Sequence, residues 1–315
     1  MATQIVTPID APQSAKTVRL NSDQSPFRRM VRRLAHHRSA QLGFAILVFL
    51  LLIAAFADLI SPYRYDQQIK IAGVKRNDPP CVHQLGCAAT KPQFVFGVDG
   101  NKRDLFSRVL QGSRLSLQVG FITVGFAIVI GTLIGATSGS MGGWTDNILM
   151  RIMDVLLAFP SLLLAIAIVT VLGKGLINTL LAVGIISIPV YARIVRASVI
   201  GVKELDYITA SQALGASRVR ILFTRIMPNA LTPLIVQGTL GIATAILDAA
   251  GLSFLGLGAQ PPLPEWGLML GEERNSVFNA PHLLIFPGIA IMLTVLSFNL
   301  LGDGLRDALD PRRKA

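Results

Sequence analysis

Residue types that carry catalysis are sparse in this chain, and they are not grouped. The four histidines are His36, His37, His83 and His282, and none has the helical spacing of a zinc pair or a nucleophile motif beside it. The Gly-Lys-Gly sequence at 173–175 lacks the upstream glycine spacing and the following Ser or Thr of a phosphate-binding loop. We therefore expect no enzyme, no metal site and no cofactor in this chain. Any energy from a nucleotide must come from another chain.

The two cysteines lie close together, at Cys81 and Cys87, with His83 between them. On an oxidising side of a membrane they can close a short disulfide. A zinc site with His83 is the second interpretation, although a complete site has about four ligands. Two free thiols are the third, and the spacing leaves all three open.

Three charged residues fall inside apolar stretches, where an ionised side chain is expensive. Arg151 and Asp154 are three residues apart, so they share a helix face and are predicted to pair. The pair either is structural, with Arg151 reaching towards the membrane surface, or contributes to function. Asp248 either lines a polar path or caps a helix break near Gly251.

A polar and basic stretch, 204–228, is the most informative part of the sequence. Asp206 is predicted to cap a helix over 207–214, which Gly215 ends. Ser217 is predicted to cap a second helix that leads into the next apolar run. Such a compact loop either passes a push from a partner protein to the helices beside it or lies on lipid headgroups.

Six apolar runs are long enough to cross a bilayer, which takes about 20 residues as a helix. They are 42–60, 115–137, 148–172, 176–199, 230–250 and 282–301. Isolated strands cannot satisfy their backbone hydrogen bonds in lipid, so each run is predicted to be a helix. The sequence therefore predicts an all-α, polytopic membrane helix bundle with six transmembrane helices.

Small residues and prolines mark particular positions in these runs. Gly131, Gly135 and Gly139 recur at intervals of four, which lets two helices approach closely in lipid, and glycines also permit the hinge of a gate. Pro160 and Pro189 each free a backbone carbonyl within a span. Such breaks are tolerated where neighbouring groups or water satisfy the carbonyl, and they are compatible with a transport path.

Composition agrees with a membrane protein. The chain has 315 residues, of which 52% are apolar and 15% charged, whereas soluble domains have about 25% charged residues. This excludes a disordered chain and argues against a soluble enzyme. The net charge of +11 does not indicate nucleic-acid binding, because the basic residues flank the apolar runs.

The positions of the basic residues predict the topology, since lysine and arginine are enriched on the cytoplasmic side. Segments 1–41 and 305–315 and the loop 200–229 are predicted to be cytoplasmic, and 61–114 extracytoplasmic. The core is predicted to span 115–304. Supporting basic residues are Arg28, Arg29, Arg32, Arg33, Arg38, Arg193, Arg196, Lys203, Arg218, Arg220, Arg225, Arg312, Arg313 and Lys314. The nine basic residues between Arg64 and Arg114 oppose this assignment, and four acids offset them only in part.

Four motifs resemble one family. The run Thr209-Ala-Ser-Gln-Ala-Leu-Gly215, with Pro228 thirteen residues later, resembles the "EAA" loop of ABC importer permeases. Three further stretches resemble dipeptide and oligopeptide permeases of the C type. They are Gly97-Val-Asp99 with Arg103-Asp104-Leu-Phe-Ser107-Arg108 and Gly112-Ser-Arg114-Leu-Ser116, then 252–267, and then 298–311. The resemblance extends from about residue 28 to the end.

This resemblance implies a type I importer permease fold in a bacterial inner membrane. It implies four kinds of partner: a related permease subunit, two ATPase subunits that hold ATP and magnesium, an extracytoplasmic binding protein, and membrane lipid. Residues of the loop that the resemblance assigns to ATPase coupling are Glu204, Asp206, Thr209, Ala210, Ser211, Gly215, Ala216, Arg218 and Pro228.

The sequence departs from the family pattern at three positions. Thr209 stands where the motif has Glu, and Ser211 where it has its second Ala, so Glu204 or Asp206 is a substitute for the missing charge. Lys102 replaces the glycine usual before Arg103. Peptide is the expected cargo, while glutathione, nickel or sugar-linked peptides are alternatives within the family. A secondary transporter acting alone is the alternative from another class, but neither inverted repeats nor paired intramembrane carboxylates are evident.

Overall fold

The computed structural model describes residues 37–309, and within this range the chain is almost entirely helical. The helices are α1 Arg38–Ile60, α2 Leu105–Met141, α3 Gly143–Leu157, α4 Ser161–Leu172, α5 Leu176–Lys203, α6 Asp206–Ala213, α7 Arg218–Ile221, α8 Met227–Phe254, α9 Trp266–Glu272 and α10 His282–Leu309. Extended pairing among the described residues consists of isolated bridges, such as that between Cys81 and Phe94. The predicted all-α class is confirmed.

Five continuous helical segments are long and apolar enough to cross a membrane, and a bent pair makes the sixth. The continuous segments are 38–60, 105–141, 176–203, 218–254 and 282–309. Their ends alternate between two faces of the bundle. The predicted basic ends at Arg28, Arg29, Arg32, Arg33, Arg312, Arg313 and Lys314 lie outside the described residues.

The single helix expected over 148–172 is wrong. The chain forms α3 and α4, which are bent by 95°, with Pro160 immediately before Ser161. Proline has no N–H to continue the helix, which explains a break at this residue. Pro189, in contrast, lies inside the continuous α5.

The second span is longer than its apolar run, because α2 begins at Leu105 rather than 115. The Asp104 carboxylate caps its first turn by accepting the N–H of Ser107 at 2.8 Å. Arg108 and Arg114 therefore lie within the helix instead of the preceding loop. These charged side chains interrupt the apolar pattern of the sequence. In the fold they contact acidic residues, so the helix can include them.

The glycine pattern of α2 is used for packing against α5. A Cβ atom on Gly131 would lie 2.7 Å from the Cβ of Tyr191, and one on Gly139 would lie 2.8 Å from the Cβ of Val199. Gly135 meets the backbone of Ala192 in the same way. Without side chains at these positions the two helices approach to backbone contact, which increases their dispersion attraction.

Two segments at one end of the bundle fold together, and we call them the cap: residues 61–104 and 255–281. Its first segment has a small apolar core of Ile69, Val74, Phe94 and Val98. Its second segment contains α9, whose Trp266 is buried and donates its indole N–H to Val109 O at 3.0 Å. The cap is thereby joined to α2.

Candidate functional site

Residues 204–228 form an exposed helical turn at the other end of the bundle, and we call this segment the helical loop. Its first helix, α6, begins at Asp206, but the preceding residue Leu205 is the N-cap and no side chain caps it. The predicted capping role of Asp206 is therefore wrong. Asp206 lies in the first helical turn, where a carboxylate still interacts favourably with the helix dipole.

Gly215 ends α6 with a left-handed backbone conformation, φ +81°. Its N–H donates to Gln212 O at 2.9 Å, and the N–H of Ala216 donates to Ser211 O at 3.1 Å. These two bonds form a Schellman motif, in which the last helical carbonyls receive partners. A residue with a Cβ pays about 1–2 kcal/mol for this conformation, so glycine fits the turn.

The second half of the helical loop runs directly into a membrane span. The Ser217 hydroxyl accepts the N–H of Arg220 at 3.4 Å and so caps α7 as predicted. A single π-helical turn at Leu222–Ile226 then joins α7 to α8. Pro228 lies in the first turn of α8, where its missing N–H costs little.

One apolar side chain anchors α6 to the bundle. Ile208 is 0% exposed and belongs to the main hydrophobic core, together with Ile221 and Ile226 from the second half of the helical loop. The rest of α6 is largely exposed. A displacement of this helix is therefore transmitted to the spans through a packed contact.

The outer surface of the helical loop combines apolar and basic side chains. Leu214 is 89% exposed and Phe223 is 65% exposed. The other exposed residues of this surface include Glu204, Asp206, Thr209, Ala210, Val219, Arg218, Arg220 and Arg225, while Ser211 and Ala216 are half-buried. Because large apolar groups are unfavourable in water, this surface is suited to a protein partner.

Two ion pairs hold α3, the first helix of the bent pair, against α5. Arg196 donates from Nε and Nη2 to the two carboxylate oxygens of Asp146, at 2.5 and 2.6 Å. Arg193 donates to Asp154 Oδ1 at 2.6 Å. The predicted pair of Arg151 with Asp154 is wrong, since the carboxylate pairs across helices instead of along its own.

Sequence reasoning missed three site residues: Arg193 and Arg196, in the helix that leads into the helical loop, and Ile208 within that loop. The two arginines were assigned only to topology, although basic residues of one span opposite acids of the preceding one are a usable signal for pairing. Ile208 carries no distinguishing sequence signal. Its role depends on the direction in which α6 packs.

Asp248 lies half-buried within α8, which continues through Gly251 to Phe254. One predicted role of Asp248, as the cap of a helix break near Gly251, is therefore wrong, because α8 has no break there. Its alternative role, beside a polar path, stays a prediction.

Two of the nine basic residues that opposed the predicted topology, Arg103 and Arg108, are paired with acids of the cap. Arg103 and Arg108 each contact Glu272 Oε2, at 3.0 and 3.2 Å. They also contact Asp99 Oδ2, at 2.6 and 3.6 Å, and we call these four residues the ion cluster. Arg108 is 1% exposed. Asp99 and Glu272, which are far apart in sequence, thus neutralise two arginines that had too few acidic residues near them in the sequence.

Other buried acids of the cap act as helix caps. Glu265 accepts the N–H groups of Gly267 and Leu268, at 2.9 and 2.7 Å. Burial nevertheless raises its pKa, because the site disfavours the charged form. Burial likewise raises the pKa of Asp104, against the hydrogen bonds from Ser107 that lower it.

Arg114, another of the basic residues that opposed the predicted topology, donates to the carboxylate of Asp58 and to the carbonyl of Ala55.

Cys81 and Cys87 are joined by a disulfide, with their Cα atoms 5.4 Å apart. The ring Nε2 of His83 lies 2.8 Å from Lys91 O. Within residues 37–309 no group of three or more His, Cys, Asp or Glu side chains is arranged to hold a metal ion. Of the three interpretations for the cysteines, the structure has the disulfide.

Comparison with known proteins places this arrangement in a family. Residues 127–315 match the family described as "Binding-protein-dependent transport system inner membrane component". Residues 25–80 match "N-terminal TM domain of oligopeptide transport permease C".

Several relatives match over nearly their whole length. The dipeptide transport system permease protein DppC of Alkalihalophilus pseudofirmus is 46% identical over 92% of this chain and 91% of its own. The glutathione transport system permease protein GsiD of Pectobacterium atrosepticum is 44% identical over 95% of each chain. The di/tripeptide transport system permease protein DppC of Pseudomonas aeruginosa is 43% identical over 92% of this chain and 93% of its own.

The fold also matches a solved transporter. A chain of the MetNI methionine ABC transporter, in an inward facing conformation, aligns with a TM-score of 0.53 at 19% identity. The alignment covers 64% of this chain and 97% of that one. The expected importer permease fold is confirmed. The chain belongs to the inner membrane components of binding-protein-dependent transport systems and is a multi-pass permease subunit of an ABC importer.

Proposed function

We propose that this chain forms half of the membrane pore of an ATP-driven importer for dipeptides and oligopeptides, and that the helical loop couples the pore to ATPase partners. The observation that carries the coupling role is the combination of an exposed apolar and basic surface with the buried anchor Ile208. If this surface binds an ATPase subunit that moves, it must also be packed firmly against the membrane spans that move with it.

The proposed mechanism is alternating access by rigid-body motion. ATP binding draws two ATPase subunits together, and the helical loop moves with them. Ile208 and the continuous helix from Arg218 to Phe254 carry that motion into the spans. Ion pairs from α5 to Asp146 and Asp154 make α3 follow α5. The bundle then opens towards the binding protein.

The proposed partners are a related permease subunit as a heterodimer, two ATPase subunits, and an extracytoplasmic binding protein. The chain itself catalyses nothing in this proposal, and ATP and magnesium reside on the ATPases. For the coupling surface we propose Glu204, Asp206, Thr209, Ala210, Ser211, Ala216 and Arg218, with Gly215 and Pro228 shaping the turn.

The proposed orientation places the helical loop and both termini in the cytoplasm and the cap outside. Arg193, Arg196 and Lys203 support it, because they cluster at the loop end of the bundle. The ion cluster reduces the objection from the basic residues of 61–114, since Arg103 and Arg108 are buried with acids in the cap. A disulfide in the cap fits an oxidising compartment.

Peptide is the proposed cargo because two of the three relatives described are named as dipeptide or di/tripeptide permeases. Glutathione is the second candidate, favoured by the GsiD relative. Both have a peptide backbone. The test is uptake of a labelled dipeptide into proteoliposomes that hold the complete complex, with longer peptides, glutathione and nickel as competitors.

The expected result is ATP-dependent uptake that unlabelled peptides suppress and nickel does not. Uptake that persists when the ATPase subunits are omitted would favour a transporter acting alone. Suppression by glutathione at lower concentration than by dipeptides would move the cargo to glutathione.

A further inference from the structure

A third carboxyl group, that of Glu273, lies beside the ion cluster, and no arginine within residues 37–309 forms an ion pair with it. Within the cluster, two arginines face two acids, Asp99 and Glu272, and each arginine contacts both. The charges of these four residues therefore balance. Glu273 is 9% exposed and adds one more carboxyl to the same region of the cap.

The neighbours of Glu273 include an oxygen without a partner. The N–H of Gly100 donates to Glu273 Oε1 at 2.9 Å, and the Ser276 hydroxyl lies 3.4 Å from Oε2. A Cβ placed on Gly100 would lie 2.9 and 3.2 Å from the two Glu273 oxygens and 3.4 Å from Asn77 Oδ1. These three oxygens thus surround one small space. Asn77 Oδ1 is buried there and has no hydrogen-bond donor among the described residues.

Two features of this arrangement have one explanation. An ionised Glu273 would leave the buried group with one excess negative charge, which is costly in a region of low dielectric constant. It would also supply no donor to Asn77 Oδ1. A protonated carboxyl removes the excess charge and supplies an O–H donor to the orphan oxygen.

We infer that the closed cap holds a proton on Glu273, which donates to Asn77 Oδ1 and ties the segment around Gly100 to the end of α9. Opening of the cap exposes this carboxyl to water, where it ionises as an ordinary glutamate. The cap is therefore a pH-sensitive element, held more tightly when the medium on its side is acidic.

The charges that face Glu273 agree with this direction. Burial raises the pKa of Glu273, and repulsion from Asp99 and Glu272 raises it further, while the hydrogen bond from Gly100 acts in the opposite sense. The charged or titratable groups on the packed segments are Lys75, Arg76, Asp78, Asp99, Lys102, Arg103, Asp104, Arg108, Glu272, Arg274 and His282. Arg108 attracts the Glu273 charge but is shared with the ion cluster, Arg274 is exposed, and Asp78 accepts the N–H of Lys75.

The sign of the pH effect follows from linkage. The carboxyl has a higher pKa in the closed cap than in the open one, where it is about 4.3. Its contribution to closure is fully present below that value and is lost as pH rises to the pKa of the closed state. Between the two pKa values the opening equilibrium increases by up to tenfold per pH unit, and above them it levels off.

The test uses the complete complex in lipid nanodiscs and measures hydrogen exchange in segment 97–103, corrected for the intrinsic pH dependence of exchange. The wild type is compared with Glu273→Gln, whose amide can both donate to Asn77 and accept from Gly100. Asp66→Asn is the control, because Asp66 is an acid of the cap that pairs with the exposed Arg64.

We expect the opening equilibrium of the wild type and of Asp66→Asn to rise as pH increases above about 4.3, and that of Glu273→Gln to rise less steeply. A parallel pH dependence in Glu273→Gln would overturn the inference. A second readout does not depend on stability: the infrared band of a protonated carboxyl, present in the wild type and lost in Glu273→Gln. Absence of that band from the wild-type difference spectrum at every pH at which the cap is closed would also refute it. Neither readout requires transport, so failure of the proposed function would leave both results interpretable.

Discussion

Arg196 binds both carboxylate oxygens of Asp146, and this bidentate contact joins the helix that leads into the helical loop to the helix before the 95° bend. The Ser138 hydroxyl donates to the same carboxylate. The contact links the helix before the bend to the helix before the helical loop, between charges that lie fifty residues apart in sequence.

The first prediction concerns this contact. Arg196→Gln should loosen α3, because a neutral amide cannot replace a bidentate guanidinium. The pair is partly exposed, so we expect a loss of about 1 kcal/mol, measurable as a decrease in the thermal midpoint of the purified complex. Arg151→Gln is the control, since Arg151 is exposed and pairs with no acid in the described part of the chain. Equal effects of the two variants would contradict the role of the pair.

The second prediction separates the anchor of α6 from its outer surface. Ile208→Ala removes a fully buried side chain and should cost about 2–5 kcal/mol of stability. Leu214→Asp changes a residue that is 89% exposed and should leave the stability of the chain unchanged. It should nevertheless weaken co-purification of the ATPase subunits at least tenfold. If Leu214→Asp leaves this association intact, the exposed surface is not the ATPase contact.

The third prediction tests the close packing of α2 on α5. A Cβ on Gly135 would lie 2.9 Å from the Cβ of Val195, so Gly135→Val should overpack the interface and destabilise the chain by about 1–3 kcal/mol. Gly125 is a matched control on the same helix, with nothing within 4 Å of its Cβ position. Chemical or thermal unfolding in detergent should distinguish the two valine variants. Similar stabilities would show that the helices can separate at no cost.

The fourth prediction concerns the side of the membrane on which the cap lies. In intact cells, a membrane-impermeant maleimide should label Cys81 and Cys87 only after treatment with a membrane-impermeant reductant, because the disulfide protects both thiols. Cys81→Ser should leave Cys87 open to labelling without reduction. Labelling that requires permeabilised cells would place the cap in the cytoplasm and reverse the proposed topology.

Local signals in the sequence were sufficient for several features. Gly215 was identified as the end of a helix because glycine commonly follows the last residue of a helix. Ser217 was identified as a cap because serine is a preferred residue at the start of a helix. The close packing at Gly131, Gly135 and Gly139 was also predictable, because an interval of four residues places all three on one face of a helix.

Features that depend on distant residues were not accessible in this way. Asp154 was assigned to Arg151, its neighbour on one helix, whereas its partner Arg193 comes from another helix. Arg108 was counted as a loop charge because Glu272 is 164 residues away in sequence. The start of α2 was placed too late for the same reason. The predicted span was limited to the apolar run, whereas the helix also includes the charged residues before it, whose acidic partners are distant in sequence.

The most direct test of the coupling role of the helical loop is labelled-dipeptide uptake by the reconstituted complex with Gly215→Pro. Proline fixes φ near −65°, far from the observed +81°, and removes the N–H that binds Gln212 O. Gly201→Ala is the control, because Gly201 lies in α5 with open space around its Cβ position. We predict that Gly215→Pro inserts into the membrane in normal amounts but loses ATP-driven uptake, while Gly201→Ala transports as the wild type does. Normal uptake by Gly215→Pro would contradict the assignment of this loop as the coupling element.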